Sequence, residues 1–292
     1  MSVRAYDPDF ARRLDEFGEL LLTCREVTRA LVIETQWRPA EGSPAAQDAE
    51  ALAKREPPTP VVIPTVLYIY VTTAGEHLGG LGALYERHEV VYPPGPLLRA
   101  AVEHCARALW VVQRDGVPVE DRLARAFLEV LLSAEQAKRT AKHLEGKMSD
   151  LYRQERERFA GTRRMAEQVF GESILDEDGR HRIRGQHLPS PEECVGWMFG
   201  FLGQPLTDEA AVGIYDFLSN LSHPTLYPHM QMWEQPQRPG LTIDDHERRV
   251  RSAVAPFYNV LNMMISYNGW SSVCIDELRA TVDRFMPDLL ED

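Results

Sequence analysis

The chain has 292 residues, 44% of them hydrophobic and 26% charged, which is enough apolar content to bury a core without disulfide or metal staples. Its 44 acidic against 32 basic residues give a formal net charge of −12, a balance that disfavours nonspecific nucleic-acid binding driven by phosphate neutralisation. No apolar run approaches the roughly 20 residues needed to span a bilayer, and Met1 to Phe17 lack the apolar core of a signal peptide.

Cys24, Cys105, Cys194 and Cys274 stand far apart in apolar helical contexts, without metal-ligand or CxxC spacing. They read as reduced core residues of a cytoplasmic protein. Asp7 followed by Pro8 is a helix start, with a capping carboxylate and then proline at the first helical position. Phe10, Leu14, Phe17, Leu21, Cys24 and Thr28 continue an amphipathic helix to about Glu34. Residues 37–60, rich in Pro, Ala, Glu, Gly and Ser, are expected to form a mobile loop or lid. Val61 to Val71 is β-branched and strand-like, but no turn separates it from Leu78, Leu81 and Leu84 at helical spacing. One helix from about Pro64 to His88 is the better reading. Its Gly75, Gly79, Gly80 and Gly82 weaken it by roughly 1 kcal/mol each, yet would let a neighbouring helix approach closely.

A turn at Tyr92 to Gly95 leads into a strongly apolar helix, Pro96 to Arg114, whose apolar face runs through Leu98, Ala101, Val102, Cys105, Leu109 and Val112. Val119 to Phe170 is charged and helical nearly throughout, with a break expected near Gly146. The second half is more polar and is expected to project from the bundle, either as a solvated face or as a partner-binding arm. Loops follow at 171–189, where Asp178-Gly179 and Arg184-Gly185 suggest a short hairpin, and at 227–241. Ser190, Pro191 and Glu193 open another helix, to Gly203; Thr207 to Glu209 open one that Pro224 closes. Thr242 with Asp245 caps a helix bent at Pro256, and a last helix spans about Ser272 to Phe285. The expected fold class is all-α, a bundle of seven to nine helices in a single domain.

Two polar stripes interrupt this apolar pattern. Arg99, Glu103, Arg107 and Trp110 share one side of the helix that starts at Pro96. Tyr215, Ser219 and His223 are spaced i, i+4, i+8 on another. Two buried polar stripes cost several kcal/mol if each meets hydrocarbon, so the two helices are expected to face each other across a polar pocket. The candidate ligand-binding residues are Arg99, Trp110, Tyr215 and Ser219; the candidate catalytic residues are Glu103 and His223.

Leu97, Arg99, Glu103 and Trp110 form the pattern LxRxxxExxxxxxW, and Tyr215, Leu218, Ser219, His223 and Pro224 form YxxLSxxxHP. The pair resembles the signatures of actinobacterial HEPN-like proteins, helical bundles of the higher-eukaryote-and-prokaryote nucleotide-binding superfamily, over roughly Thr73 to Thr225. The 28 arginines against four lysines fit a bacterial, GC-rich coding sequence. The resemblance implies a four- or five-helix up-and-down core, a homodimer, a small anionic or nucleotide-like ligand, and a place in a defence or regulatory system. Active members of that superfamily are mostly metal-independent ribonucleases built on Arg-x4–6-His. Here His223 has no arginine at that spacing, and the fits at Arg99 with His104 and at Arg180 and Arg182 with His187 are as many as chance supplies.

Asp244, Asp245 and Glu247 offer an alternative: a small-molecule enzyme of bacterial specialised metabolism, similar to the magnesium-dependent terpene synthases. Their place at a helix start explains the acids equally well, and Trp270 stands where a second metal motif needs an acid. No metal or cofactor is expected.

Overall fold

The computed structural model describes residues 7–90, 94–113, 117–175, 179–202, 208–220 and 242–290. Ten α-helices occur among them: α1 (Pro8–Thr35), α2 (Pro44–Ala53), α3 (Val62–Glu86), α4 (Pro94–Val112), α5 (Val119–Glu145), α6 (Asp150–Phe170), α7 (Pro191–Leu202), α8 (Asp208–Asn220), α9 (Ile243–Asn268) and α10 (Val273–Phe285). The only sheet among the described residues is a two-stranded antiparallel hairpin, β1 (Arg182–Ile183) and β2 (Gln186–His187). The protein is all-α.

The helix starts follow local chemistry. Asp7 caps α1 by accepting from the Asp9 amide. Ser190 and Glu193 exchange side-chain and backbone bonds at the head of α7, and Thr242 and Asp245 do the same for α9. Each arrangement satisfies amides that a first turn would otherwise leave open.

α2 corrects the expectation for residues 37–60. That stretch is not a loop throughout; it contains α2. Leu52 is 1% exposed, Trp37 donates to the Pro64 carbonyl at 3.2 Å, and the Ala40 amide donates to the Asn268 carbonyl at 2.8 Å. The stretch is fastened to α3 and α9. A second correction concerns α6. Gly146 takes φ +83°, which glycine adopts without strain, and α6 turns back along α5 instead of projecting. Lys138 sits 3.6 Å over the Phe159 ring and Phe127 meets Phe170 edge-on. The loop expected at 171–189 contains the hairpin, and the one expected at 227–241 lies outside the described residues.

The buried side chains of α1, α3, α4, α5, α7, α9 and α10 join one hydrophobic cluster. α1 lies against α3, α3 against α4, and α4 against α9, α7 and α8; α10 closes on α1. The α1–α3 contact is a glycine seam. A Cβ on Gly82 would stand 3.0 Å from the Gly18 carbonyl oxygen and 2.9 Å from Leu22 Cγ, whereas one on Gly80 would meet only Leu97, at 3.6 Å. Alanine at either site gains about 1 kcal/mol of helix propensity. At Gly82 a backbone clash of about 1–3 kcal/mol opposes that gain. Gly82→Ala is therefore expected to lower the melting temperature and Gly80→Ala to raise it. A rise in both would show that α1 and α3 can separate freely.

Candidate functional site

The polar stripe on α4 is distributed between two neighbours. At its first turns, Arg99 Nε donates to Glu103 Oε1 at 2.7 Å and Arg99 Nη2 to Tyr215 Oη of α8, also at 2.7 Å. Tyr215 Oη in turn donates to Glu103 Oε1 at 3.3 Å, and the guanidinium lies 5.3 Å from the Tyr215 ring centroid. The structure thus brings together three of the sequence-selected residues, Arg99, Glu103 and Tyr215. Burial pulls the Arg99 pKa down, but the hydrogen bonds and charges of Glu103 and Tyr215 hold it above its ordinary value. Burial, then the Glu103 carboxylate, push the Tyr215 phenol up.

Ser219 is half-buried one turn further along α8. His223 lies outside the described residues. Trp110 does not join the cluster. It shares a side with Arg99, but eleven residues carry it roughly 16 Å along the axis. There Arg125 of α5 stacks on its ring at 5.6 Å and donates to its carbonyl oxygen at 2.7 Å.

One turn past Glu103, Arg107 Nη1 donates to Glu129 Oε1 of α5 at 3.2 Å, and Tyr70 Oη of α3 donates to Glu129 Oε2 at 2.6 Å. Glu129 is 3% exposed. Burial pushes its carboxyl up against the opposing pull of Arg107 and Tyr70. Burial and then the Glu129 charge push the Tyr70 phenol up. Cys194 of α7 feels the charges of Arg107, Glu129 and Glu103, and burial pushes its thiol up to about 12, so it is a neutral wall and not a nucleophile. His104 bonds the Ala100 carbonyl through Nδ1 at 2.6 Å and lies 5.6 Å from the Tyr70 ring and 5.4 Å from the His77 ring. Burial, with His104 alongside, holds His77 below its ordinary value.

Sequence reasoning missed Tyr70 and Glu129. The available signal was a lone acid in the run Ala126 to Leu132 of α5. A buried carboxylate needs a cation, and Arg107 was already on the α4 stripe. Of the Arg-x4–6-His pairings, the one on α4 points to two different neighbours, and the one on the hairpin is brought together only on an exposed surface. Arg99 reaches α8 while His104 packs on α3, and Arg182 with His187 is a cross-strand pair on the exposed hairpin. The acids at the start of α9 serve the helix end. Asp245 Oδ2 accepts from the Thr242 amide and hydroxyl, and Oδ1 from Arg248. Among the described residues no group of three or more His, Cys, Asp or Glu side chains could hold a metal ion, and no helix is long and apolar enough to cross a membrane.

Chemically, the α4–α8 junction offers a guanidinium fixed at two points, on a side chain 21% exposed, flanked by a carboxylate and a phenol. It can recognise an oxyanion and orient the group attached to it. Comparison with protein-family models, curated proteins and solved structures finds no match for this chain.

Proposed function

We propose that the α4–α8 junction binds a small anionic, nucleotide-like ligand, with Arg99 meeting its phosphate, Glu103 orienting the guanidinium and Tyr215 lining the mouth. The observation that carries the reading is the Arg99–Tyr215 hydrogen bond of 2.7 Å, which joins two sequence signatures 116 residues apart. A structural ion pair needs only Arg99 and Glu103. A phenol from a second helix on the same guanidinium adds a recognition surface at the solvent boundary. The same contact supports a HEPN-like core, since the signatures that suggest one lie on the two helices it joins. On that reading the protein is a bacterial, cytoplasmic homodimer serving a defence or regulatory system. Ser219, one turn along α8 from Tyr215, joins the ligand-side set, and His223 is proposed as the proton-handling residue; Trp110, held by Arg125 further along α4, falls outside it.

The test is calorimetric titration of adenosine monophosphate into the full chain and into Glu103→Gln. The expected result is weakening by roughly tenfold or more, the loss of one charge-assisted contact, with a melting temperature within a few degrees of wild type. No binding to the wild type rejects the proposal. Unchanged binding with a lowered melting temperature makes the cluster purely structural.

A further inference from the structure

A second polar group lies apart from this junction, where α9 crosses the end of α3. His246 is 2% exposed and Arg249 8%. Tyr85, the fully buried tyrosine near the end of α3, has its hydroxyl 3.2 Å from His246 Nδ1 with the rings edge to face at 5.6 Å. Phe10 of α1 meets His246 at 5.9 Å. The arginines beside Arg249 on α9 are spoken for: Arg248 bonds Asp245 at 2.8 Å and Arg251 bonds Glu247 at 2.9 Å. Arg249 makes no side-chain hydrogen bond and no ion pair among the described residues. It feels Tyr85 and Asp245 only at a distance, and burial holds its guanidinium below its ordinary value. Asp245 cannot turn to it without giving up the Thr242 cap.

A guanidinium stays charged in proteins, and here no side chain answers that charge, while its nitrogens are not among the fully buried unpartnered atoms and so stay within reach of a small anion. The neighbouring imidazole adds to the site. The Tyr85 contact occupies Nδ1 and leaves Nε2 as the ring nitrogen without a side-chain partner among the described residues; a proton on Nε2 makes the imidazole a second donor. The site holds a positive charge, and no carboxylate among the described residues forms an ion pair with it. We infer that Arg249 anchors an oxyanion-binding site on α9, taking a phosphate or carboxylate head group on the guanidinium fork with His246 as a neutral co-donor. Both head groups present two oxygens at the spacing the fork requires. The site shares no residue with the α4–α8 junction and stands or falls separately from it.

The experiment titrates inorganic phosphate and, separately, sodium acetate into the full chain at constant ionic strength in chloride, read by calorimetry and by thermal melting. One of the two is expected to bind saturably and raise the melting temperature, and which one does so identifies the head group. Arg249→Met is expected to weaken that binding by roughly ten- to a hundredfold, the worth of one or two charge-assisted hydrogen bonds. Without either anion it should melt no lower than wild type, because the Arg249 side chain holds no hydrogen bond or ion pair among the described residues for the change to remove. Arg249→Lys keeps the charge but not the fork and should also weaken binding, a comparison that does not depend on the methionine variant folding. Arg279→Gln, at an exposed arginine 3.8 Å from Asp283, should change nothing. The inference is overturned if neither anion binds saturably, or if Arg249→Met and Arg249→Lys bind as wild type does. It is equally overturned if binding survives at Arg249 but is lost in Arg99→Gln, which would assign it to the other site.

Discussion

Asp48→Ala is expected to lower the stability of the protein by about 3–5 kcal/mol, the usual consequence of leaving one member of a buried ion pair alone. Arg122 of α5 donates to both Asp48 oxygens, from Nη2 at 2.7 Å and from Nε at 2.9 Å. Tyr267 of α9 donates to Asp48 Oδ2 at 2.7 Å. Asp48 and Arg122 are each 8% exposed, so water does little to screen the pair. Removing the carboxylate leaves Arg122 with the Val117 carbonyl as its remaining hydrogen-bond partner. Exposed pairs such as Lys54 with Glu50 should behave differently: solvent screens them, and Glu50→Ala should leave stability nearly unchanged. The double variant Asp48→Leu with Arg122→Met should recover most of the loss, since a well-packed apolar pair often equals a buried ionic one. Urea denaturation of the four chains checks this. A loss under about 1 kcal/mol for Asp48→Ala would mean that α2 is not held by this pair.

Acidification from pH 6.5 to pH 4 is expected to cost about 3 kcal/mol of stability through His246 alone. Burial, and then the positive charge of Arg249, push this imidazole down to about 4 from an ordinary 6.5, with Asp245 opposing. The other polar group facing it is Tyr85 of α3, which is neutral throughout this range. The sign follows from where the proton goes. Below pH 6.5 the unfolded chain takes up a proton that the folded chain refuses, so the contribution is complete above 6.5 and drains away as pH falls towards 4. His246→Gln should flatten the stability curve in that window. Asp245 and Glu247, whose pKa values are lowered, also lose stabilising interactions on acidification, but in a lower window, so the difference between wild type and His246→Gln isolates the histidine. Parallel curves for the two proteins between pH 6.5 and 4 would contradict the assignment.

What could be read from the chain and what could not divides along a physical line. The starts of α1, α7 and α9 were legible because a cap is a local event between residues two or three apart. The break at Gly146 was legible for the same reason, and so was the helical reading of Val61 to Val71, where absence of a turn outweighed β-branched content. The meeting of Arg99 and Glu103 with Tyr215 was legible because two polar stripes on apolar helices need each other. α2 was hidden. Its buried residues are Ala45, Asp48 and Leu52, so its inward face carries a charge whose partner, Arg122, lies 74 residues on. No window of local periodicity contains that pairing. α6 was misjudged in direction because its polar composition describes its outer face, while Ala166 and Val169 mark the side that turns to the core. Tyr70 and Glu129 were hidden within apolar runs, where each reads as one off-pattern residue until the other is known.

The closure of α10 on α1 has a consequence for synthesis. Arg284 reaches Glu19 at 2.5 Å, and Arg13 donates to the Phe285 carbonyl at 2.9 Å. The second helix in each of these contacts leaves the ribosome roughly 240 residues after the first, a delay on the order of 10–50 s at ordinary elongation rates. α3 is translated early enough to cover the Gly18 side of α1 almost at once. The side that α10 will cover waits, apolar and available, for the rest of that interval. Slowing elongation, or stalling it before Val273, should therefore increase the fraction of nascent chains captured by hydrophobic-binding chaperones, while chains released from the ribosome with α10 complete should not be captured.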